Sequence, residues 1–220
     1  MRRDAAGVLL LLVGGALVKI VVDGSYLRYV KPSAAAPVFL AGVVMVGLAV
    51  VAWDLGGHRH SGFGVWLLVL PVLAIFLVAP PALGADSVIR AGARSVARPA
   101  SFASLPNVGV VSISLSEFVA RDVWDAGSLH GRRVALTGFV VHEGAADYVA
   151  RLVITCCAAD ATPMKVELTG GSTSSLPDDQ WVRVVGVVRD GSASAVDGYT
   201  PTLVVSSLTT VAAPDDPYEY

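Results

Sequence analysis

The sequence predicts a membrane protein with three N-terminal transmembrane helices and an all-β C-terminal domain, the latter a small OB-like five-stranded barrel with one flanking helix. Three observations support this fold class. The N-terminal part contains three long apolar runs, the C-terminal half contains five short β-like segments separated by turn residues, and charge is divided unevenly between the two halves. With 54% hydrophobic residues among 220, the chain is too apolar for an average soluble protein.

The three apolar runs have the length of transmembrane helices. They cover residues 6–22, 35–53 and 63–83; the first contains one charged residue, Lys19, and the other two contain none. About 20 residues are needed to cross the hydrocarbon core of a bilayer. A cleaved signal peptide is the alternative for the first run, because two arginines precede it. We therefore expect membrane lipid around this part of the chain.

The membrane orientation is predicted from charge. Arg2 and Arg3 favour a cytoplasmic N-terminus, which with three spans places the C-terminal domain outside the cytoplasm. The bare count of basic residues on the two sides opposes this choice. The C-terminal domain nevertheless suits export, because it is acidic and its one lysine is Lys165. We expect a multi-pass protein of the plasma membrane with an extracytoplasmic C-terminal domain.

The uneven charge also excludes one class of partner. Residues 1–110 hold nine basic and four acidic residues, whereas residues 111–220 hold seven basic and fourteen acidic residues. Binding to nucleic acid needs a basic groove and stacking aromatics, so no nucleic acid is expected as a partner. The sequence divides into four parts: a transmembrane region at 1–84, a linker at 85–110, the β-domain at 111–213 and a C-terminal tail at 214–220.

The C-terminal domain has the pattern of short strands preceded by one helix. A helix is predicted at 115–126, where Ser114 and Glu117 match a capping box. Gly138 and Gly186 lie inside β-like runs, where glycine permits a bulge or the sharp coil of a small closed barrel. A five-stranded sandwich is the alternative to the barrel. The five strand candidates are 132–141, 148–155, 163–169, 181–189 and 201–210.

Cys156 and Cys157, the two cysteines of the chain, are adjacent. They are interpreted as thiolate ligands of Zn²⁺ together with Asp160, as a redox-sensitive vicinal disulfide, or as small apolar residues at a strand end. Neighbouring side chains on a strand point to opposite faces, so two thiolates converge on one ion only if the strand ends there. A structural zinc site takes about four ligands, and His142 and His130 are candidates for the missing one.

Other polar residues are further candidates. Arg151 is expected to brace the cysteine loop by pairing with Asp160, and Tyr148 to pack beside it. His58 and His60 offer two imidazoles for a divalent cation, with an ordinary solvated loop as the alternative. The sequence contains no catalytic triad order and no nucleotide-binding or metalloprotease motif, so no enzymatic activity is expected.

These features together resemble the YcgQ-like family of membrane permease subunits. The resemblance rests on the three spans, the loop GGHRHSG at 56–62, the motif RLVITCCAADATP, the phrase QWVRVVGVV and the ending PYEY at 217–220. It implies a polytopic membrane permease as partner and a link to divalent metals such as zinc. The expected function is an accessory permease subunit whose β-domain gates or delivers substrate. The alternative is a stand-alone envelope protein that senses metal or redox state through the vicinal cysteines.

Overall fold

The computed structural model of the chain consists of two compact units, Met1–Ala82 and Leu83–Tyr220. Each is described by itself below. The residues that the structure describes are 5–54, 70, 73, 81–91, 98–106, 109–171, 173, 175–194 and 198–220.

Within residues 5–54 of the N-terminal unit, two apolar helices contact each other, α1 (Ala5–Val22) and α2 (Ala35–Asp54). Within the described part of the chain, one helical stretch is long and apolar enough to cross a membrane, Pro32–Val51; the apolar stretch in α1, Gly7–Val22, is shorter. The third expected span, residues 63–83, lies almost entirely outside the described residues. The expectation of three transmembrane helices is therefore not confirmed.

Polar contacts lie at the C-terminal end of α1, and its apolar stretch is short for a membrane span. Lys19 Nζ lies 2.7 Å from the Asp23 carboxylate, and Gly24 adopts a left-handed φ of 79°, after which a 3-10 turn follows. Gly7–Val22 extends over about 24 Å at about 1.5 Å per residue, less than the roughly 30 Å of a bilayer core. The first apolar run thus retains both of its interpretations, a membrane span and a signal sequence.

The C-terminal unit is built on a seven-stranded sheet. Five strands coincide with the five predicted segments, and each observed boundary lies within two residues of the predicted one. Two further strands, the first and the last, are very short and were not predicted. In chain order the strands are β1 (Val110–Ser112), β2 (Arg133–Glu143), β3 (Ala146–Val153), β4 (Thr162–Thr169), β5 (Trp181–Val188), β6 (Thr202–Thr210) and β7 (Tyr218–Glu219).

The five predicted strands form a closed circuit of pairings. β2 is antiparallel to both β3 and β5, β5 is antiparallel to β6, and β4 is antiparallel to β3. A parallel pairing of β4 with β6 completes the circuit. The two short strands attach outside it, β1 parallel to β2 and β7 parallel to β3.

Two glycines permit close backbone approaches in this circuit, as the sequence pattern predicts. A Cβ atom on Gly138 would lie 2.4 Å from the Ala150 carbonyl oxygen, and one on Gly186 would lie 2.4 Å from the Val204 carbonyl oxygen. The register of β5 against β6 also shifts between Val185 and Gly186. Any larger residue at either position would therefore push neighbouring strands apart.

The predicted flanking helix, α4 (Leu115–Trp124), closes the hydrophobic core. It begins at the expected cap, because the Ser114 hydroxyl accepts a hydrogen bond from the Glu117 amide at 3.1 Å. Leu115 and Phe118 on this helix are fully buried. They pack with apolar side chains from the strands, among them Val134, Leu136, Val140, Val149, Val166, Val182, Val184 and Leu203.

The segment predicted as an extended or partly ordered linker, 85–110, contains regular structure among its described residues. It begins with a short helix, α3 (Ala85–Ala91), which contacts β2, β3 and β4. Ala85 and Val88 are buried, and the Asp179 carboxylate accepts a hydrogen bond from the Ala85 amide at 2.6 Å. This helix was not predicted because one or two helical turns give too little hydrophobic periodicity to recognise. The strands that it contacts are also distant in the sequence.

A buried arginine holds the part of this segment that follows α3. Arg121 on α4 is 1% exposed, pairs with Glu117 at 2.7 Å and donates to the Ala103 carbonyl at 2.6 Å. Its guanidinium also lies 4.8 Å from the centroid of the Phe102 ring. A buried guanidinium needs such partners for its donors, so these contacts fix residues 102–103 against α4.

Candidate metal centre

The two cysteines lie at the corner where β3 ends and β4 begins. β3 stops at Val153, and a 3-10 turn, Ala158–Asp160, precedes β4. Cys156 and Cys157 therefore follow the end of β3, although the backbone of Cys157 is still extended, and their Sγ atoms lie 3.5 Å apart. Both are free thiols, Cys156 exposed and Cys157 half-buried. The condition for two thiolates to face one ion, that the strand ends before the pair, is met.

Asp160 fixes the shape of this corner. One carboxylate oxygen accepts a hydrogen bond from the Thr155 amide at 2.9 Å, and the other accepts one from the Cys156 amide at 2.8 Å. Such bonds from an aspartate to nearby backbone amides stabilise a turn. Ligand atoms of Cys156, Cys157 and Asp160 all lie within 4.8 Å of one another. We refer to these three residues as the cysteine corner.

Hydrogen bonds in the cysteine corner favour the protonated thiol of Cys156. Contact with the Asp160 carboxylate, and then with the Cys157 sulfur, raises the pKa of Cys156 to about 11. The hydrogen bond with Cys156, followed by that from the Thr155 amide, lowers the pKa of Asp160. At neutral pH Cys156 is thus a thiol beside a carboxylate, and a metal ion must displace its proton because the thiolate is the ligand.

The donor set of the cysteine corner suits a thiophilic divalent ion. Zinc is bound by cysteine sulfur and by aspartate oxygen, and closed structural sites use four ligands. Among the residues that the structure describes, no further histidine, cysteine, aspartate or glutamate joins these three. A tetrahedral zinc ion held by these three donors would have one coordination position left for a ligand from outside.

The two histidines predicted as a fourth ligand do not join the cysteine corner. Nδ1 of His142 lies 2.8 Å from the Asp178 carboxylate, and Nδ1 of His130 lies 2.9 Å from that of Asp190. The hydrogen bond to Asp178 also raises the pKa of His142, which favours the imidazolium form. An imidazolium has no free lone pair for a metal. That prediction was wrong because carboxylates on other loops hold both rings.

The sequence predicts that Arg151 pairs with Asp160, but in the structure Arg151 contacts the C-terminal strand instead. Its guanidinium donates hydrogen bonds to the carbonyl oxygens of Asp216 at 3.1 Å and Tyr218 at 3.0 Å. The same group lies 5.1 Å from the centroid of the Trp181 ring. The difference arises because β7, an unpredicted strand, pairs with β3 beside Arg151.

The remaining predicted residues lie away from the cysteine corner or outside the described residues. Tyr148 is half-buried on β3, and the Lys165 ammonium lies 4.5 Å from the centroid of its ring. Its predicted packing role is consistent with this contact. His58 and His60 belong to the residues 55–69 that the structure does not describe, so their role stays a prediction.

Glu219 is a structural partner of the cysteine corner that the sequence did not reveal. Its backbone carbonyl accepts a hydrogen bond from the Ile154 amide at 3.0 Å, two residues before Cys156. Its carboxylate accepts bonds from the amides of Leu115 at 2.9 Å and Ser116 at 2.8 Å. The PYEY ending contributed to the family resemblance, but no local pattern indicated that its glutamate caps a distant helix.

The C-terminal unit also carries a match to a protein family. Residues 123–220 match the DUF1980 C-terminal domain family model. The proteins of this family are uncharacterised. The matched residues include the whole cysteine corner and Glu219, and they begin inside α4. No curated protein and no solved structure matches the chain. The resemblance to YcgQ-like permease subunits is not confirmed by this match and stays a proposal.

Proposed function

We propose that the protein is an accessory subunit of a membrane permease and that its cysteine corner receives zinc, which the permease transports. The observation that carries the proposal is the approach of two free thiols and a carboxylate to within 4.8 Å at an exposed corner. Zinc is the cargo in this account, and the open coordination position allows its transfer to a ligand of the partner.

We also interpret the C-terminal unit as a small OB-like barrel. A five-strand circuit in which β2 pairs on both sides is the connectivity of a closed Greek-key barrel. The close approaches at Gly138 and Gly186 support this, because the strands of a small barrel must coil tightly. A two-layer sandwich is disfavoured by the parallel pairing that joins β4 and β6.

The helices support an anchoring role and not a transport path. Large apolar side chains of α2 are exposed within the N-terminal unit, and lipid or a second membrane protein is the solvent that suits them. Between Ala5 and Ala52, α1 and α2 contain one charged residue, Lys19, and no histidine. Intramembrane ion paths are built from ionisable side chains, so we place the path in the polytopic partner.

Zinc analysis of the purified full chain tests the metal site. After dialysis against zinc in a mild detergent, we expect about one zinc per wild-type chain and almost none in the variant Cys156→Ser/Cys157→Ser. His130→Ala is the matched control, because its ring pairs with Asp190, and it should retain zinc. Equal zinc in the wild type and the double variant would remove the metal site.

Affinity purification tests the permease partner. Full-length tagged protein, extracted from its native membrane with a mild detergent, should bring down a polytopic membrane protein in a stable ratio. The double cysteine variant should retain that partner, because docking is assigned to the apolar helices. Recovery of the tagged chain without any polytopic protein, under conditions that keep it folded, would contradict the role as a subunit.

A second candidate function, redox sensing, is favoured by the distance between the two thiols. The Sγ atoms lie 3.5 Å apart, so a small local movement brings them to the roughly 2.05 Å of a disulfide. Forming the bond removes two protons and two electrons, which an external thiol oxidant must accept. Intact mass after mild oxidation with a small disulfide decides: loss of two hydrogens supports the switch, and unchanged mass removes it.

A further inference from the structure

We infer that the C-terminal strand β7 couples the cysteine corner to the N-terminus of α4 and to Leu83. Leu83 is the last residue of the third apolar run of the sequence. The identity of the ligand at the corner rests on the proposed function; the coupling itself rests on contacts within the C-terminal unit. A change at the corner is expected to reach the residues next to the apolar part of the chain.

The first link joins β7 to the cysteine corner through backbone hydrogen bonds. Tyr218 and Glu219 pair with Leu152 and Val153 at the end of β3. Beyond the strand, the Ile154 amide donates to the Glu219 carbonyl at 3.0 Å, and Ile154 is 1% exposed. The next two amides, of Thr155 and Cys156, donate to the Asp160 carboxylate. Three consecutive amides, from Ile154 to Cys156, are therefore bound first by Glu219 and then by Asp160.

The second link joins β7 to helix α4 through a buried carboxylate. Both oxygens of Glu219 are used, one by the Leu115 amide and one by the Ser116 amide. The residue is 9% exposed, so moving it would leave two amides and a charge without partners in a dry environment. The positive end of the α4 dipole, and Arg151 at 3.9 Å, stabilise the negative charge.

The third link joins β7 to Leu83. The Tyr218 hydroxyl accepts a hydrogen bond from the Leu83 amide at 3.1 Å, and Tyr218 is 3% exposed. The Arg151 guanidinium donates a hydrogen bond to the Tyr218 carbonyl oxygen. A strand of two residues has little stability from pairing alone, so these side-chain contacts keep it in place. We therefore treat β7 as a unit that opens or closes as a whole.

Hydrogen exchange on the full chain in detergent, with residue-level fragmentation, tests the coupling without any metal. Glu219→Gln weakens the bonds to Leu115 and Ser116. If β7 moves as a unit, exchange at Ile154 and Cys156 should also become faster, by on the order of fivefold. Faster exchange confined to Leu115 and Ser116 would overturn the inference.

Two further variants control this experiment. Tyr218→Phe removes one hydroxyl while keeping the ring, and it should speed exchange at Leu83 and at Ile154; an effect at Leu83 alone overturns the coupling. If Glu219→Gln does not fold, Tyr218→Phe alone tests the coupling. Glu143→Gln changes a carboxylate that pairs with Lys165. It lies opposite Ala146, at the end of β3 away from the residues that pair with β7, and should leave all these amides unchanged.

A zinc arm separates the coupling from the proposed function. Added zinc should slow exchange at the cysteine corner and also at Leu115, Ser116 and Leu83 in the wild type, and nowhere in Cys156→Ser/Cys157→Ser. Protection of the corner alone overturns the coupling although zinc binds. If zinc protects nothing, the proposed metal site fails, and the variant results above decide the coupling by themselves.

Discussion

At the scale of single residues, Asp160 has two roles in the cysteine corner. As a brace, its carboxylate accepts two backbone hydrogen bonds that hold the turn. As a charge, it keeps Cys156 protonated by raising the pKa of that thiol. Zinc competes with a proton for the sulfur, so the affinity of the corner for zinc should increase as pH rises.

Asp160→Asn should make Cys156 more reactive. Without the carboxylate, the pKa of Cys156 should fall from about 11 toward the ordinary value, and alkylation by iodoacetamide at pH 8 should become faster by on the order of tenfold. The measurement is done in a Cys157→Ser background, so that one thiol reports. An unchanged or slower rate would mean that the carboxylate does not control the thiol.

Asp122 on α4 is a second residue whose charge matters. It is 8% exposed, and one of its carboxylate oxygens has no hydrogen-bond partner among the described residues. Burial first, and then the nearby charge of Asp190, raise its pKa against the effect of a hydrogen bond from the Ala193 amide. A raised folded pKa means that the free energy of unfolding falls as pH rises from the unfolded pKa, near 4, through the folded one.

Asp122→Asn should therefore stabilise the C-terminal unit at high pH. The amide keeps the shape of the side chain without its charge, so the gain should be largest at pH 8 and should shrink as pH falls toward 4. Guanidinium denaturation of the full chain in detergent at several pH values measures it. A stability difference that stays constant across this range contradicts the assignment.

At the scale of elements, helix α4 has an N-terminus capped from two directions. The Ser114 hydroxyl binds the Glu117 amide, and the Glu219 carboxylate binds the two amides between them. A helix leaves its first four amides without intrahelical partners, and here three of them are satisfied by side chains. The local cap was visible in the sequence, whereas the distant one required the fold.

Ser114→Ala should destabilise the C-terminal unit by about 1 kcal/mol, because it removes the acceptor for the Glu117 amide. Ser114→Asp, which supplies another acceptor at the same position, should retain most of the stability. Thermal unfolding of the full chain in detergent compares the three proteins. An equal loss of stability in both variants would show that the hydrogen bond accepted by the Ser114 hydroxyl does not account for the stabilisation.

Sequence reasoning succeeded for elements whose signal is local. The five long strands are short β-like runs bounded by turn residues, and α4 has a cap and an apolar face, so each was predicted close to its observed bounds. The strands β1 and β7 contain three and two residues and pair with distant strands. The short helix α3 is held by contacts with β2, β3 and β4, which are distant from it in the sequence. No pattern within such short segments could have indicated them.

For the cysteine corner too, only the local features could be predicted from the sequence. Cys156, Cys157 and Asp160 lie within one short loop, so their convergence could be predicted from spacing and from the end of the strand. The partners of Arg151 and His142 could not, because Tyr218 and Asp178 reach them from other parts of the fold. Side-chain pairing between distant segments depends on topology, which spacing alone does not specify.

At the scale of the whole molecule, the chain combines an apolar N-terminal part with an acidic C-terminal part. The N-terminal unit has an apolar helix long enough to cross a membrane, and the C-terminal half holds fourteen acidic and seven basic residues. An acidic unit attracts cations and repels nucleic acid, so its charge agrees with metal binding at the cysteine corner. The partner that would receive the metal remains part of the proposal.

The coordination of bound zinc tests the central claim most directly. Zinc K-edge X-ray absorption on the full chain in detergent, loaded with one equivalent of zinc, reports the atoms around the ion. We predict two sulfur neighbours at about 2.3 Å, with oxygen or nitrogen atoms completing the shell. A spectrum with oxygen and nitrogen neighbours alone would place the metal elsewhere and contradict the account.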